Sequence, residues 1–210
     1  TLLGAAASDA LESGQVVSGV GGQYNFVAMS HALPDARLLM MLRATHDNKD
    51  GLKSSIVWNY GHVTIPRHLR DIVITEYGVA DLRGQSDSEV IKRLIAVADS
   101  RFQDELIHDA KTHGKLEASY ELPERYRHNL PQALEDKLHP WAQAGLLTDF
   151  PFGTDLTDDE LHIVRALKKL KHASEHPLEL VEQALRSLWE GKEAPPAYLE
   201  RLGLAEAHSF

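Results

Sequence analysis

The 210 residues include no cysteine, which excludes disulfides, thiolate nucleophiles and Cys-ligated zinc together. No apolar run approaches the roughly 20 residues a membrane-spanning helix needs, so no membrane partner is expected. Positive charge is also scarce: the formal charge is -9 and the pI about 5.7. The molecule as a whole repels phosphate backbones, so nucleic acid is not an expected partner, and an anionic ligand needs a local cluster of cations. The opening TLLGAAASDALESG holds no Met and no basic residue before Arg37. It does not read as a signal peptide or a natural start, and the chain is read as a fragment.

What is present is ordinary for a globular protein: 43% hydrophobic residues, 25% charged residues and a mean hydropathy of -0.30. That supplies a substantial core, and one domain with an appendage fits the length. A cytoplasmic protein is expected.

Up to about Gly114 short β-rich runs alternate with glycine turns and helical stretches, the pattern of an α/β protein with a parallel or mixed sheet. Strands are expected at 15–18, 38–43, 55–59 and 71–76; the last, DIVITE, reads as buried on both faces. Helices are expected at 24–33 and 86–98. The second has Asp87 and Glu89 in its first turn and a stripe of Val90, Ile91, Leu94, Ile95 and Ala98, as a helix packed on a sheet requires. LEASYELPERYRHNLPQ, broken by Pro123 and Pro131, reads as an extended crossing. Beyond Pro131 the signals are helical. Thr157 and Glu160 form a capping-box pattern, with Leu161, Val164, Leu167 and Leu170 as the expected buried stripe. A further helix is expected at 177–190, before GKEAPP and a short helical tail. The fold class is thus α/β, a sheet flanked by helices followed by a small helical C-terminal extension, with domains at 1–130 and 131–210.

Two stretches could carry chemistry. SGVGGQYNF (18–26) places glycines between a strand and a helix, where backbone amides can approach an anion or a developing oxyanion. Strand-to-helix turns also use glycine for purely steric reasons, and GVGGQ lacks both the GxGxxG spacing and the P-loop Lys. The second stretch runs from Lys53 to Gly84 and gathers Lys53, His62, Arg67, His68 and Arg70. Such a cluster can hold cofactor phosphates, or it can be a solvated loop with a structural Arg–Asp pair.

The order SGVGGQYNF, ARLLMMLRAT, SSIVWNYGHVTIPRHLRDIVITEYGVADLRG and ADSRFQDEL is similar to the C-terminal domain of acetyl-CoA hydrolase/transferase proteins. That group includes acetate, butyrate and 4-hydroxybutyrate CoA-transferases. The resemblance covers roughly Gln15 to Gly114. It implies a CoA-transferase-like sheet, coenzyme A or acetyl-CoA as substrate, no metal, and nucleophilic catalysis by a glutamate through a glutamyl-CoA thioester. In the family the glycine turn lies beside the thioester; that role maps onto Gly21 and Gly22, with Gln23 and Asn25 at the pocket edge as cofactor-binding residues. Arg67 and His68 of the basic stretch are the other cofactor-binding candidates. The nucleophilic glutamate and an oxyanion asparagine belong upstream of Thr1, so the missing N-terminal half is an expected partner. Acyl-CoA, a short-chain carboxylate and further copies in a homo-oligomer complete the expected set.

Glu76, ending the DIVITE run, is where a nucleophile or general base could sit; the resemblance makes it a hydrogen-bond acceptor that fixes neighbouring loops. Glu12 in LESGQ reads as a solvated helix end. His172 and His176 have the i, i+4 spacing of helix-borne metal ligands, but Pro177 pushes His176 out of helical geometry, and no metal is expected. Trp58, Trp141 and Trp189 read as core or interface packing. The competing function is a non-catalytic module that binds CoA or docks a partner.

Overall fold

A computed structural model describes residues 1–175, 180, 181, 185, 189 and 195–204. The chain divides into two compact units, Thr1–Ala144 and Gly145–Phe210.

The first unit is built on a three-stranded mixed sheet in the order β1 (Leu39–Met41), β4 (Ile72–Thr75), β5 (Gly78–Asp81). β1 runs parallel to β4, which pairs antiparallel with β5. A separate hairpin joins β2 (Thr45–Asn48) to β3 (Gly51–Ser54). Helix α1 (Gln23–Ala32) precedes the sheet, and α2 (Asp87–Ala96) and α3 (Gln103–Thr112) follow it. The unit closes with α4 (Pro131–Gln143), which has no buried residue.

α2 forms because Ser86 caps it, its hydroxyl accepting from the Glu89 amide at 3.4 Å, and two acidic residues meet the positive end of the helix dipole. Its stripe of Val90, Ile91, Leu94 and Ile95 is fully buried among Val73, Ala80, Leu82, Leu106 and Leu122. Each such side chain contributes about 1.5–3 kcal/mol of gross burial. Two buried carboxamides tie the following chain to α2. Gln103 Nε2 donates to the carbonyls of Ile95, Ala98 and Tyr126, and Asn129 Nδ2 to those of Ala96 and Ala98.

Several expectations are corrected. The 15–18 run makes a single bridge, Val16 to Ala10, because the Asp9 carbonyl takes the amides of both Val17 and Ser18. The 55–59 run is not a strand. The Ser54 hydroxyl donates to the Ile56 carbonyl at 2.6 Å and accepts its amide at 3.2 Å, bending the chain off the ladder. DIVITE buries one face fully, at Val73 and Thr75, while Ile72 and Ile74 are half-buried, since helices cover the sheet unevenly. Glu12 lies in a turn, not at a helix end. β2, β3, β5 and α3 are additional elements.

In the second unit α5 (Asp158–Glu175) carries the expected capping box. The Thr157 amide donates to Glu160 Oε2 at 2.8 Å, and the Glu160 amide to the Thr157 hydroxyl at 3.4 Å. The expected stripe is only partly covered. Ile163 is buried and Leu161 and Val164 are half-buried, but Leu167 and Leu170 are 48% and 52% exposed. The short helix Pro196–Arg201 meets α5 near its start, where Arg201 pairs with Glu160 at 3.0 Å and Tyr198 stacks on His162, while Ala173 is buried near the end of α5. The expected 177–190 helix falls mostly outside the described residues, as does His176.

Candidate functional site

The glycine turn occupies the approach to α1. Gly21 has φ +59, the left-handed region that side chains resist, and Gly22 is the N-cap of α1, with no side-chain capping bond. Gln23 opens the helix and is half-buried, Asn25 is exposed, and Val27 is the one buried residue of α1.

A loop-to-loop clasp holds the segment that leads into the turn. Asp9 Oδ1 accepts from His62 Nε2 at 2.9 Å and from the Thr64 hydroxyl. These two bonds hold the Asp9 carboxyl below its usual range. The Asp9 carbonyl meanwhile receives the Val17 and Ser18 amides that lead into the turn. Beside it the Ser8 hydroxyl donates to Gln23 Oε1 at 2.5 Å, and the Tyr60 hydroxyl accepts from the Glu12 amide at 3.0 Å. Gly61 is required here, since a Cβ would come within 2.9 Å of the Glu12 carbonyl oxygen. Ser8, Asp9 and Thr64 had no signal in the sequence, because their partners lie 15 to 56 residues away. A cavity of about 280 Å³ opens next to Gln23, between residues 4–8 and the sheet residues Met40, Leu42 and Val73.

Arg67 and His68 lie in a 3-10 turn, Arg67–Leu69, that packs on α1. His31, near the C-terminal end of α1, bonds the Leu69 carbonyl at 2.9 Å. Arg67 makes two bonds to Asp87, at 2.9 and 3.1 Å. Asp87 also meets Arg70 at 3.5 Å and Lys115 at 3.3 Å. Burial alone would raise the Asp87 carboxyl, but the bonds from Arg67 and Lys115 outweigh it and hold it low. Arg67 and Arg70 face the single Asp87 carboxylate in a depression of about 340 Å³ that His68 and Gln85 also line, and Lys115 meets Asp87 as well. Gln23 and this basic group line different depressions. The structure does not merge them into one pocket.

Glu76 is exposed, and its Oε2 accepts the Ala44 amide at 2.8 Å, joining the loop after β1 to the turn after β4. Next to it Tyr77 donates to the fully buried Asp99 at 2.9 Å, and Arg101 binds the same carboxylate through Nε and Nη2 at 2.8 and 2.7 Å. Burial pushes Asp99 up, but the bonds from Arg101 and Tyr77 outweigh this and leave it lowered. The Tyr77 hydroxyl is raised, chiefly by burial and then by Asp99. Trp58 packs on the core and stacks on His113 with ring centroids 4.3 Å apart, whereas Trp141 and Trp189 are exposed. Among the described residues no three His, Asp or Glu side chains form a group able to hold a metal ion, and no helix is long and apolar enough to cross a membrane.

The sequence model of the family described as acetyl-CoA hydrolase/transferase C-terminal domain matches residues 1–110. A probable butyrate:acetyl-CoA coenzyme A-transferase of Syntrophomonas wolfei is 35% identical over 98 residues, 45% of this chain and 22% of that protein. A butyryl-CoA:acetate CoA-transferase of Anaerostipes caccae is 32% identical over 99 residues, again 45% and 22% of the two chains. The crystal structure of RipA from Yersinia pestis aligns with a TM-score of 0.47 at 30% identity, over 54% of this chain and 26% of that one. The matched stretch therefore spans about a quarter of the length of these relatives.

Proposed function

The chain belongs to the acetyl-CoA hydrolase/transferase C-terminal domain family, and from that premise we propose that it forms one part of the acyl-CoA site of a CoA-transferase or acyl-CoA hydrolase. The observation that carries the reading is the glycine turn. Gly21 holds a left-handed conformation and Gly22 opens α1, with Asp9 taking the Val17 and Ser18 amides before the turn and Ser8 bonding Gln23 after it. Amides so held stabilise charge on a thioester oxygen without reorganising during the reaction.

In the proposed reaction a glutamate carboxylate, contributed by the rest of the protein, attacks the acyl-CoA carbonyl. The C–S bond breaks, CoA thiolate leaves, and an acyl-glutamyl anhydride forms. The thiolate then attacks the glutamyl carbonyl, breaking the anhydride C–O bond, releasing the acyl group as its carboxylate and leaving a glutamyl-CoA thioester. An incoming carboxylate reverses these steps in a transferase, and water resolves the thioester in a hydrolase. Gly21 and Gly22 serve the oxyanion, Gln23 and Asn25 border the acyl end, and Arg67 and His68 serve the CoA phosphates. The cations around Asp87 support that last assignment. The chain alone is inactive in this account, and the site lies in a cytoplasmic enzyme whose family domain spans 1–130.

For residues 131–210 an oligomerisation role is proposed, supported by the exposed Leu167 and Leu170. Removing them is expected to lower the oligomeric state in size-exclusion chromatography; an unchanged state would rule this out.

Mass spectrometry of the longer protein tests the reaction. Incubation with acetyl-CoA is expected to leave CoA on one glutamate outside this chain, and Gly22→Val to reduce adduct formation by about 100-fold. Thioester turnover with no adduct on any glutamate would rule the mechanism out.

A further inference from the structure

Helix α4 buries no residue along its 13 positions, and Pro140 removes one hydrogen bond from its ladder. Helices shorter than about 12–15 residues are marginal in water without packing, so α4 depends on a surface that covers its apolar side. That side is a stripe at helical spacing, Leu134, Leu138 and Trp141, with Leu138 42% and Trp141 59% exposed. Glu135, three positions before Leu138, stands at the flank of the stripe, and among the described residues no cation pairs with it.

The later turns of α5 carry the complementary pattern. RALKKLKH (165–172) holds Arg165, Lys168, Lys169 and Lys171 and no acidic residue, in a chain whose formal charge is -9. Leu167 and Leu170 lie exposed among these cations, and Lys171, four positions after Leu167, shares its face. Lys168 is engaged by Asp149 at 3.1 Å, while Lys171 has no carboxylate partner among the described residues. Both helices lie beyond the matched residues 1–110, so the surface that each needs is sought in the segment that carries them.

Resting on the reading of residues 131–210 as an oligomerisation segment, we propose that α4 of one copy of the chain docks on the later turns of α5 of a second copy. Leu134, Leu138 and Trp141 cover Leu167 and Leu170, and Glu135 pairs with Lys171 at the border. Each copy offers one acidic apolar stripe and one basic apolar stripe, so a two-fold axis closes the pair with no stripe left over. The apolar area supplies the affinity. The opposite charges fix which helix meets which, since α5 against α5 would set lysine against lysine.

Sedimentation equilibrium and carbodiimide cross-linking of the 210-residue chain test this. The chain is expected to dimerise. Glu135→Lys and Lys171→Glu should each weaken the dimer at least about tenfold, and the two together should restore it to within about threefold. Rescue in the double variant separates a lost contact from a lost fold. In a mixture of unlabelled and isotope-labelled copies, the amide formed between Glu135 and Lys171 should join a light peptide to a heavy one.

Cross-links found only between peptides of the same label would place the pair within one chain and overturn the proposal. A double variant as weak as the single ones would overturn the pairing of Glu135 with Lys171. A dimer indifferent to both charge reversals, but lost with residues 131–210, would overturn this contact and leave the oligomerisation reading standing. A monomer at every concentration would overturn both.

Discussion

Helices α1 and α2 belong to the same compact unit and have the same length, ten residues each, yet they relate to it in opposite ways. α2 buries four aliphatic side chains and is tied by Gln103 and Asn129 to the chain that follows. α1 buries only Val27, and its Tyr24, Phe26 and Met29 face outward, with Phe26 69% exposed. Stability therefore resides around α2, while the residues assigned to chemistry ring the sparsely packed helix. On the proposed reading, a glycine turn that serves a ligand and the rest of a longer protein has no need of a full apolar covering from its own chain.

The sharpest way to break this comparison is truncation on both helices. Ile91→Ala should cost about 2–5 kcal/mol in urea unfolding, as a cavity in a filled core does, while Phe26→Ala should stay within about 0.5 kcal/mol. Equal costs would show that α1 is integral to the core. Next in size is Gln103→Ala, expected to cost about 2–3 kcal/mol because three carbonyls lose their donor.

Asp99 sharpens the same contrast by pH. Its folded pKa lies below the ordinary carboxylate value, so its contribution is fully present above the unfolded value of about 3.9 and is lost as pH falls through the folded value. Wild-type urea midpoints should fall below about pH 4, and Asp99→Asn should flatten that fall while lowering stability at neutral pH. The smallest effect is expected from Arg67→Ala. Its pair with Asp87 is half-exposed and should contribute less than about 1 kcal/mol to stability, leaving ligand binding as its visible consequence.

α2 was legible because local signals agree: a serine cap, acidic residues in the first turn and an apolar stripe of helical period all point one way. β4 and the glycine turn were legible for similar reasons, a β-branched run and clustered glycines. The hairpin of β2 and β3 was missed although Asn48-Lys49-Asp50-Gly51 closes it, with Asn48 Oδ1 taking the Asp50 amide at 2.8 Å. Its strands THDN and GLKS are polar, so no alternation announced them. β5 is four residues long and exists through its pairing with β4. The Asp9–His62–Thr64 clasp was illegible for a different reason: it is assembled by tertiary contact between loops, and no spacing rule joins residues more than 50 positions apart.

The central claim is that the glycine turn and the basic depression are parts of an acyl-CoA site. Calorimetry of acetyl-CoA with the chain and its Gly22→Val and Arg67→Ala variants tests it most directly. Saturable binding that both substitutions weaken by at least about tenfold is the predicted result. Binding indifferent to both, or none at any attainable concentration, would contradict the claim.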